Sequence, residues 1–164
     1  MKALTFILIL FVTSSFSQTL STKIGKTNIN FKLLNELIIK EVNFQRSSRN
    51  IPIIPIGESA MQYSKKHTSW MIREDKFEHS NLSNGAECIQ EGFQYQEKTY
   101  DETAKGIVKI WMDSPKHREI ILTDFKYACN IGVDVGIDTN AKTLCSLGNV
   151  YKATLFIYID STKK

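Results

Sequence analysis

Cys129-Asn130-Ile131-Gly132-Val133-Asp134-Val135-Gly136 alternates apolar residues with small or polar ones at a period of two, the pattern of a strand with one buried face. A second candidate strand runs from Lys152 to Asp160, with Ala153, Leu155, Ile157 and Ile159 on one side and Thr154, Phe156 and Tyr158 on the other. Both of its sides can be covered. Upstream the period is helical instead. Helices followed by strands, one of them apolar on two faces, point to an α+β fold with helices over a mainly antiparallel sheet.

The helical part begins with Phe31, Leu34, Ile38 and Val42, whose spacing predicts an amphipathic helix over about 31–46. Ser47-Ser48-Arg49-Asn50 ends it, and Pro52 and Pro55 hold an extended connection because proline restricts itself and its predecessor. A second helix starts near Glu58 and places Ala60, Ser64, His67 and Met71 on one face, so His67 reads as a packing or half-exposed residue. From Asp75 to Tyr100 the pattern is irregular, a long loop with one short extended candidate at Ile89 to Phe93. Thr99-Tyr100-Asp101-Glu102 has capping-box spacing and opens a third helix through Asp113. Ser114 then stands as N-cap before Pro115, its hydroxyl expected on helix N–H groups, and a short fourth helix runs through Leu122.

The first twelve residues, Met1 to Val12, are one lysine and an apolar run, followed by small residues at Ser15 and Ser17. That is the three-part pattern of a secretory signal peptide over 1–17, and the run stops well short of the roughly 20 apolar residues a membrane span needs. The chain beyond it divides into a polar segment at 18–30, one domain over 31–160 and a tail at 161–164. The formal charge of +4 is mild, and the lysines form no stripe with aromatics, which excludes a nucleic-acid reading. Export makes a disulfide plausible among Cys88, Cys129 and Cys145, which allow three single pairings. Cys129–Cys145 is the expected one, leaving Cys88 unpaired, because Cys129 opens a strand and Cys145 lies in the connection to its neighbour.

Three segments carry residues capable of chemistry: Phe77-Glu78-His79-Ser80, Asn84-Gly85-Ala86-Glu87, and Trp111-Met112-Asp113-Ser114-Pro115-Lys116-His117-Arg118. Two imidazoles and a carboxylate make a zinc-type ligand set, since catalytic zinc commonly has three protein ligands plus water. The spacing is irregular, however, and nothing in it brings His79, Glu87 and His117 together; taken alone, the histidines read as structural or surface groups.

Read together and in order, the three segments resemble the signature of the CAP superfamily, the cysteine-rich secretory, antigen 5 and pathogenesis-related group 1 proteins, and especially its bacterial SCP-like branch. Asn43-Phe44-Gln45-Arg46 with Ile51-Pro52, and Glu58-Ser59-Ala60-Met61-Gln62-Tyr63-Ser64, resemble that family's first two helices. The resemblance covers about residues 31 to 159. It implies a three-layer α-β-α sandwich with a mainly antiparallel central sheet. It also implies a polar cleft lined by His79, Glu87 and His117 with Ser114 beside it, His79 and His117 being candidate zinc ligands that would lose the ion as acid protonates them. The family's fourth cleft acid has no match, since Asp113-Ser114-Pro115 stands there.

The expectation is therefore a secreted protein, extracellular or periplasmic, that binds an unknown ligand: a divalent metal, a lipid or a cell-envelope component. It is expected to have no nucleic-acid partner and no transmembrane segment once the leader is removed. A metal-dependent hydrolase using His79 and His117 with Glu87 as base is the enzymatic alternative. A structural envelope protein with a vestigial cleft is the third reading. A serine hydrolase built on Ser114 is disfavoured, because no Gly-x-Ser-x-Gly elbow exists.

Overall fold

The computed structural model describes residues 22–24, 28–81, 84–95, 98–138 and 148–163. The expected leader over 1–17 lies outside them. Among the described residues the fold is α+β, with four helices, α1 (Phe31–Ser47), α2 (Glu58–Arg73), α3 (Tyr100–Asp113) and α4 (Pro115–Leu122), and three strands, β1 (Gly85–Tyr95), β2 (Ala128–Ile137) and β3 (Gly148–Asp160). The strands form one antiparallel sheet in the order β1-β3-β2. No helix among the described residues is long and apolar enough to cross a membrane.

α1 starts where the Asn30 side chain accepts from the backbone N–H of Leu33, and it buries Leu34, Leu37, Ile38 and Val42. These residues share one core with Ala104, Ile107, Val108 and Trp111 of α3 and with Cys88, Ile131, Val133, Leu155 and Ile157 of the sheet. Trp111 is wholly buried and aims its indole N–H at the Ile89 carbonyl. The capping box at Thr99 and Glu102 forms as expected.

α2 meets side chains of the opposite register. Its buried residues are Ala60, Ser64, His67, Thr68 and Met71, and this polar stripe suits a polar sheet face. Ser64 Oγ donates to the Gly132 carbonyl and Thr68 Oγ1 to Thr154 Oγ1. Gly132 is required by close approach: a Cβ there would stand 2.1 Å from the Ala60 carbonyl carbon. Lys152, buried on the same face, donates to the Met71 carbonyl and pairs with Asp138 at 2.8 Å, with Glu91 and Asp75 within 4.0 Å.

Two connections that resembled family motifs have clear physical roles. Asn43 bonds the backbone of Ile54 twice, giving its amide N–H to the carbonyl and accepting from the N–H, each at 2.9 Å. Buried Arg46 donates to the carbonyls of Pro52, Ile121 and Thr123, which fixes the end of α4 against the end of α1.

The structure corrects the sequence reading at β1. This segment is not a long loop with a short extended piece at Ile89–Phe93; it is an eleven-residue strand paired with β3 along its whole length. Glu87, Gln90 and Glu91 interrupt the apolar alternation that would have marked it. Each has a specific partner instead: Glu87 holds histidines, Gln90 bonds the Tyr151 hydroxyl, and Glu91 faces Lys152.

Candidate functional site

The site forms at the outer edge of β1. Glu87 projects from this strand towards α2, His79 sits on the loop entering β1, and His117 lies in the first turn of α4. Cys88, next in the strand, points the other way and donates through sulfur to the His117 carbonyl at 3.9 Å, which ties α4 to β1. Sheet alternation thus gives adjacent residues two tasks: one supports the site and one braces its roof.

Glu87 is buried, and each of its oxygens is engaged. Oε2 accepts from His79 Nδ1 at 2.8 Å and from the Ser80 backbone N–H at 3.0 Å, while Oε1 accepts from the Ser80 hydroxyl at 2.6 Å. His67, from α2, brings Nε2 within 3.5 Å of Oε1 and donates to the Glu78 carbonyl at 3.0 Å. Sequence reading took His67 as a packing or half-exposed residue; the structure buries it against Glu87. Its signal was the company it keeps: a histidine between Ser64 and Thr68 on a buried helix face requires a polar surface opposite.

His79 is more than half exposed, and its ring lies 6.3 Å, centroid to centroid, from that of His117. Burial, and then the neighbouring His79, lowers the His117 pKa, so this imidazole stays neutral further into acid. The structure therefore sets His79 against Glu87 and beside His117. The Nδ1 proton of His79 points at a carboxylate, leaving Nε2 with the lone pair, which is the arrangement by which carboxylates orient metal-binding histidines. Among the described residues no group of three or more His, Cys, Asp or Glu side chains is set to hold a metal ion.

Ser114 is the N-cap residue of α4 by position, but its side chain makes no capping hydrogen bond, contrary to expectation. Its backbone joins the two helices: the N–H ends α3 on the Ile110 and Trp111 carbonyls, and the carbonyl accepts the first bond of α4 from the Arg118 backbone N–H. Arg118 also donates to the Met112 carbonyl, binding the two helices at their joint. Cys88 and Cys129 carry free thiols. Cys145 lies outside the described residues, and with it the expected Cys129–Cys145 pairing. Burial, reinforced by Glu87, pushes the Cys88 thiol well above its ordinary range, and burial raises Cys129 against the opposing charge of Arg46.

Among solved structures, the chain is similar to an outer surface protein from Borrelia burgdorferi, with a TM-score of 0.54 and 13% sequence identity, over 84% of this chain and 100% of that one. At such identity the likeness is one of fold. No family model matches the chain, and no curated protein does.

Proposed function

We propose that the protein is a secreted CAP-superfamily domain, with that family's three-layer α-β-α sandwich, acting outside the cell as a binding module through the cleft of His79, Glu87 and His117. The observation that carries the reading is the Glu87–His79 hydrogen bond of 2.8 Å beside the His117 ring. Residues from three motif segments, irregularly spaced in sequence, converge there. The packing of α1 and α3 on one sheet register and α2 on the other supports the layered architecture. The outer-surface name of the fold neighbour supports a location outside the cell.

His79 and His117 are the residues that would hold a divalent ion of the zinc type, and such an ion would offer a positive docking point for an anionic lipid or cell-envelope head group. Two imidazoles with Glu87 turned onto His79 and Ser80 make an exchangeable site rather than a closed structural one. The same hydrogen bonds weigh against the hydrolase reading, because a carboxylate already engaged by Ser80 and His79 is poorly placed to take a proton from water.

The test is native mass spectrometry of exported protein, with zinc titration of that protein and of His79→Ala and His117→Ala. A mature start at Gln18, a co-purifying envelope molecule and zinc binding weakened by both replacements are the expected results. Zinc binding unchanged by both replacements sinks the site. Metal-dependent turnover lost on replacing His79 would instead favour the hydrolase, and the absence of ligand, metal and turnover would favour a vestigial cleft.

A further inference from the structure

A second cavity, of about 940 Å³, lies at the opposite side of the sheet from the histidine cleft, along the outer edge of β2 between α1 and α2. It shares no lining residue with that cleft, and its volume falls in the range of small-molecule sites, roughly 300–1,000 Å³. Phe31, Met61, Ile72 and Val135 give it apolar walls. Beside Asn28, Gln62 and two lysines, the lining holds a polar pair, Asn35 and Asp134, joined by a 3.3 Å hydrogen bond from Asn35 Nδ2 to Asp134 Oδ1.

The pair is not explained by packing. Asn35 is only 6% exposed and its Oδ1 has no hydrogen-bond partner among the described residues, a condition that costs free energy. Burial also pushes the Asp134 carboxyl up to about 6, against the Asn35 hydrogen bond and the nearby Lys65 charge. Apolar residues of similar shape would serve the fold better. The strand edge offers a weak bond too: among the described residues the Val133 N–H donates to the Met61 sulfur, at 3.4 Å, a weak acceptor. Val135, two residues on, turns its backbone the same way by the alternation of an antiparallel strand.

An acceptor-rich polar floor under apolar walls fits one kind of molecule. We propose that this cavity is a second ligand site, taking a neutral amphipathic molecule whose hydroxyl or amide N–H donates to Asp134 and Asn35 while its apolar body lies against Phe31, Met61 and Ile72. A carboxylate head would meet the Asp134 oxygens with its own. Lys32 and Lys65, also in the lining, oppose a cationic head.

The experiment titrates the full chain with 1-octanol, octanoate and octylammonium, following backbone amides by NMR. Octanol is expected to shift Asn35, Asp134 and Val135, and to bind at least about tenfold tighter than either ion, a difference of about 1.4 kcal/mol. Asp134→Leu should abolish this preference. Met61→Trp, which fills the cavity without touching the polar pair, should abolish binding altogether; melting curves identify any variant that has lost the fold, and Asn35→Leu then replaces Asp134→Leu. No shift with octanol overturns the proposal, as does octanol binding that both Asp134→Leu and Asn35→Leu leave unchanged, which would mark a merely apolar groove. Tighter binding of octanoate would assign the cavity to the lysines, and tighter binding of octylammonium would make it a cation site; either also overturns it. The same holds if an extended peptide, but not octanol, protects the Val133 and Val135 amides.

Discussion

Glu87 and His79 form a buried-to-exposed pair: the carboxylate sits under the surface on β1 and holds, at 2.8 Å, the Nδ1 of an imidazole that reaches solvent. The bond fixes which nitrogen of His79 is available. In the native protein His79 is expected as the Nδ1–H tautomer, visible in nitrogen chemical shifts, and Glu87→Ala should release it to the Nε2–H form. Where zinc binds, losing the orienting carboxylate should weaken affinity by about 10–100-fold. An Nε2–H tautomer in the unsubstituted protein would contradict this arrangement.

Two glycines should respond to alanine with opposite signs. Gly132→Ala drives a methyl into the α2 backbone and should cost about 1–3 kcal/mol, as overpacking does. Gly106→Ala, within α3 and with nothing within 4 Å of a new Cβ, should gain about 0.5–1 kcal/mol from helix propensity. Denaturant titration of both variants measures each effect against the same parent.

Asp134 should make the protein less stable as pH rises through mild acid. Its carboxyl pKa is about 6 in the folded chain against an ordinary 3.8, so between these values the folded state holds more protons than the unfolded one. Stability then falls with rising pH across that window, by up to about 3 kcal/mol from this group. Asp134→Asn should therefore raise the melting temperature at pH 7 and leave it nearly unchanged near pH 4. An equal effect at both pH values would mean that Asp134 ionises freely.

The thiols should differ in reactivity. Cys88 is fully buried against the α4 backbone and its thiolate is disfavoured by burial and Glu87. It should resist alkylation until the protein unfolds. Cys129, partly exposed and with its thiol free, should react first. Timed alkylation followed by peptide mapping checks both, and labelling of Cys88 ahead of Cys129 in folded protein would contradict this order.

How far the sequence could be read depended on what each buried face touches. α1 and α3 pack apolar stripes onto an apolar core, so Leu34, Ile38, Ile107 and Trp111 announced themselves by spacing. The capping box at Thr99 and the proline at Pro115 marked helix starts as local chemistry must. β1 was half hidden because its partners are polar. Neither a Glu87 destined for His79 nor a Gln90 destined for Tyr151 can be told from loop residues without knowing what lies opposite. The nearness of His79 to Glu87 and of His117 to His79 is made by strand pairing and helix docking that no spacing encodes. His67 and the Asn35–Asp134 pair escaped for the same reason: polar groups on buried faces are defined by partners distant in the chain.

The strand order β1-β3-β2 also sets a timetable. β1 and β2 each pair with β3 along their whole length, and β3 follows both in the chain, so neither earlier strand has this ladder until residues 148–160 have been made. Until then the growing polypeptide carries β1 without its ladder, and β2 with the Ile56 bridge and α2 beside it but its long edge open, which is the kind of intermediate that sticks to others. Lys152 enters its burial site only when Asp138 and the Met71 carbonyl are already in reach. The middle of the sheet is thus the last piece added. A chain cut short before Gly148 is a loss of the whole sheet rather than of one edge, and a carrier that holds the nascent chain unfolded until it is complete works with this topology rather than against it.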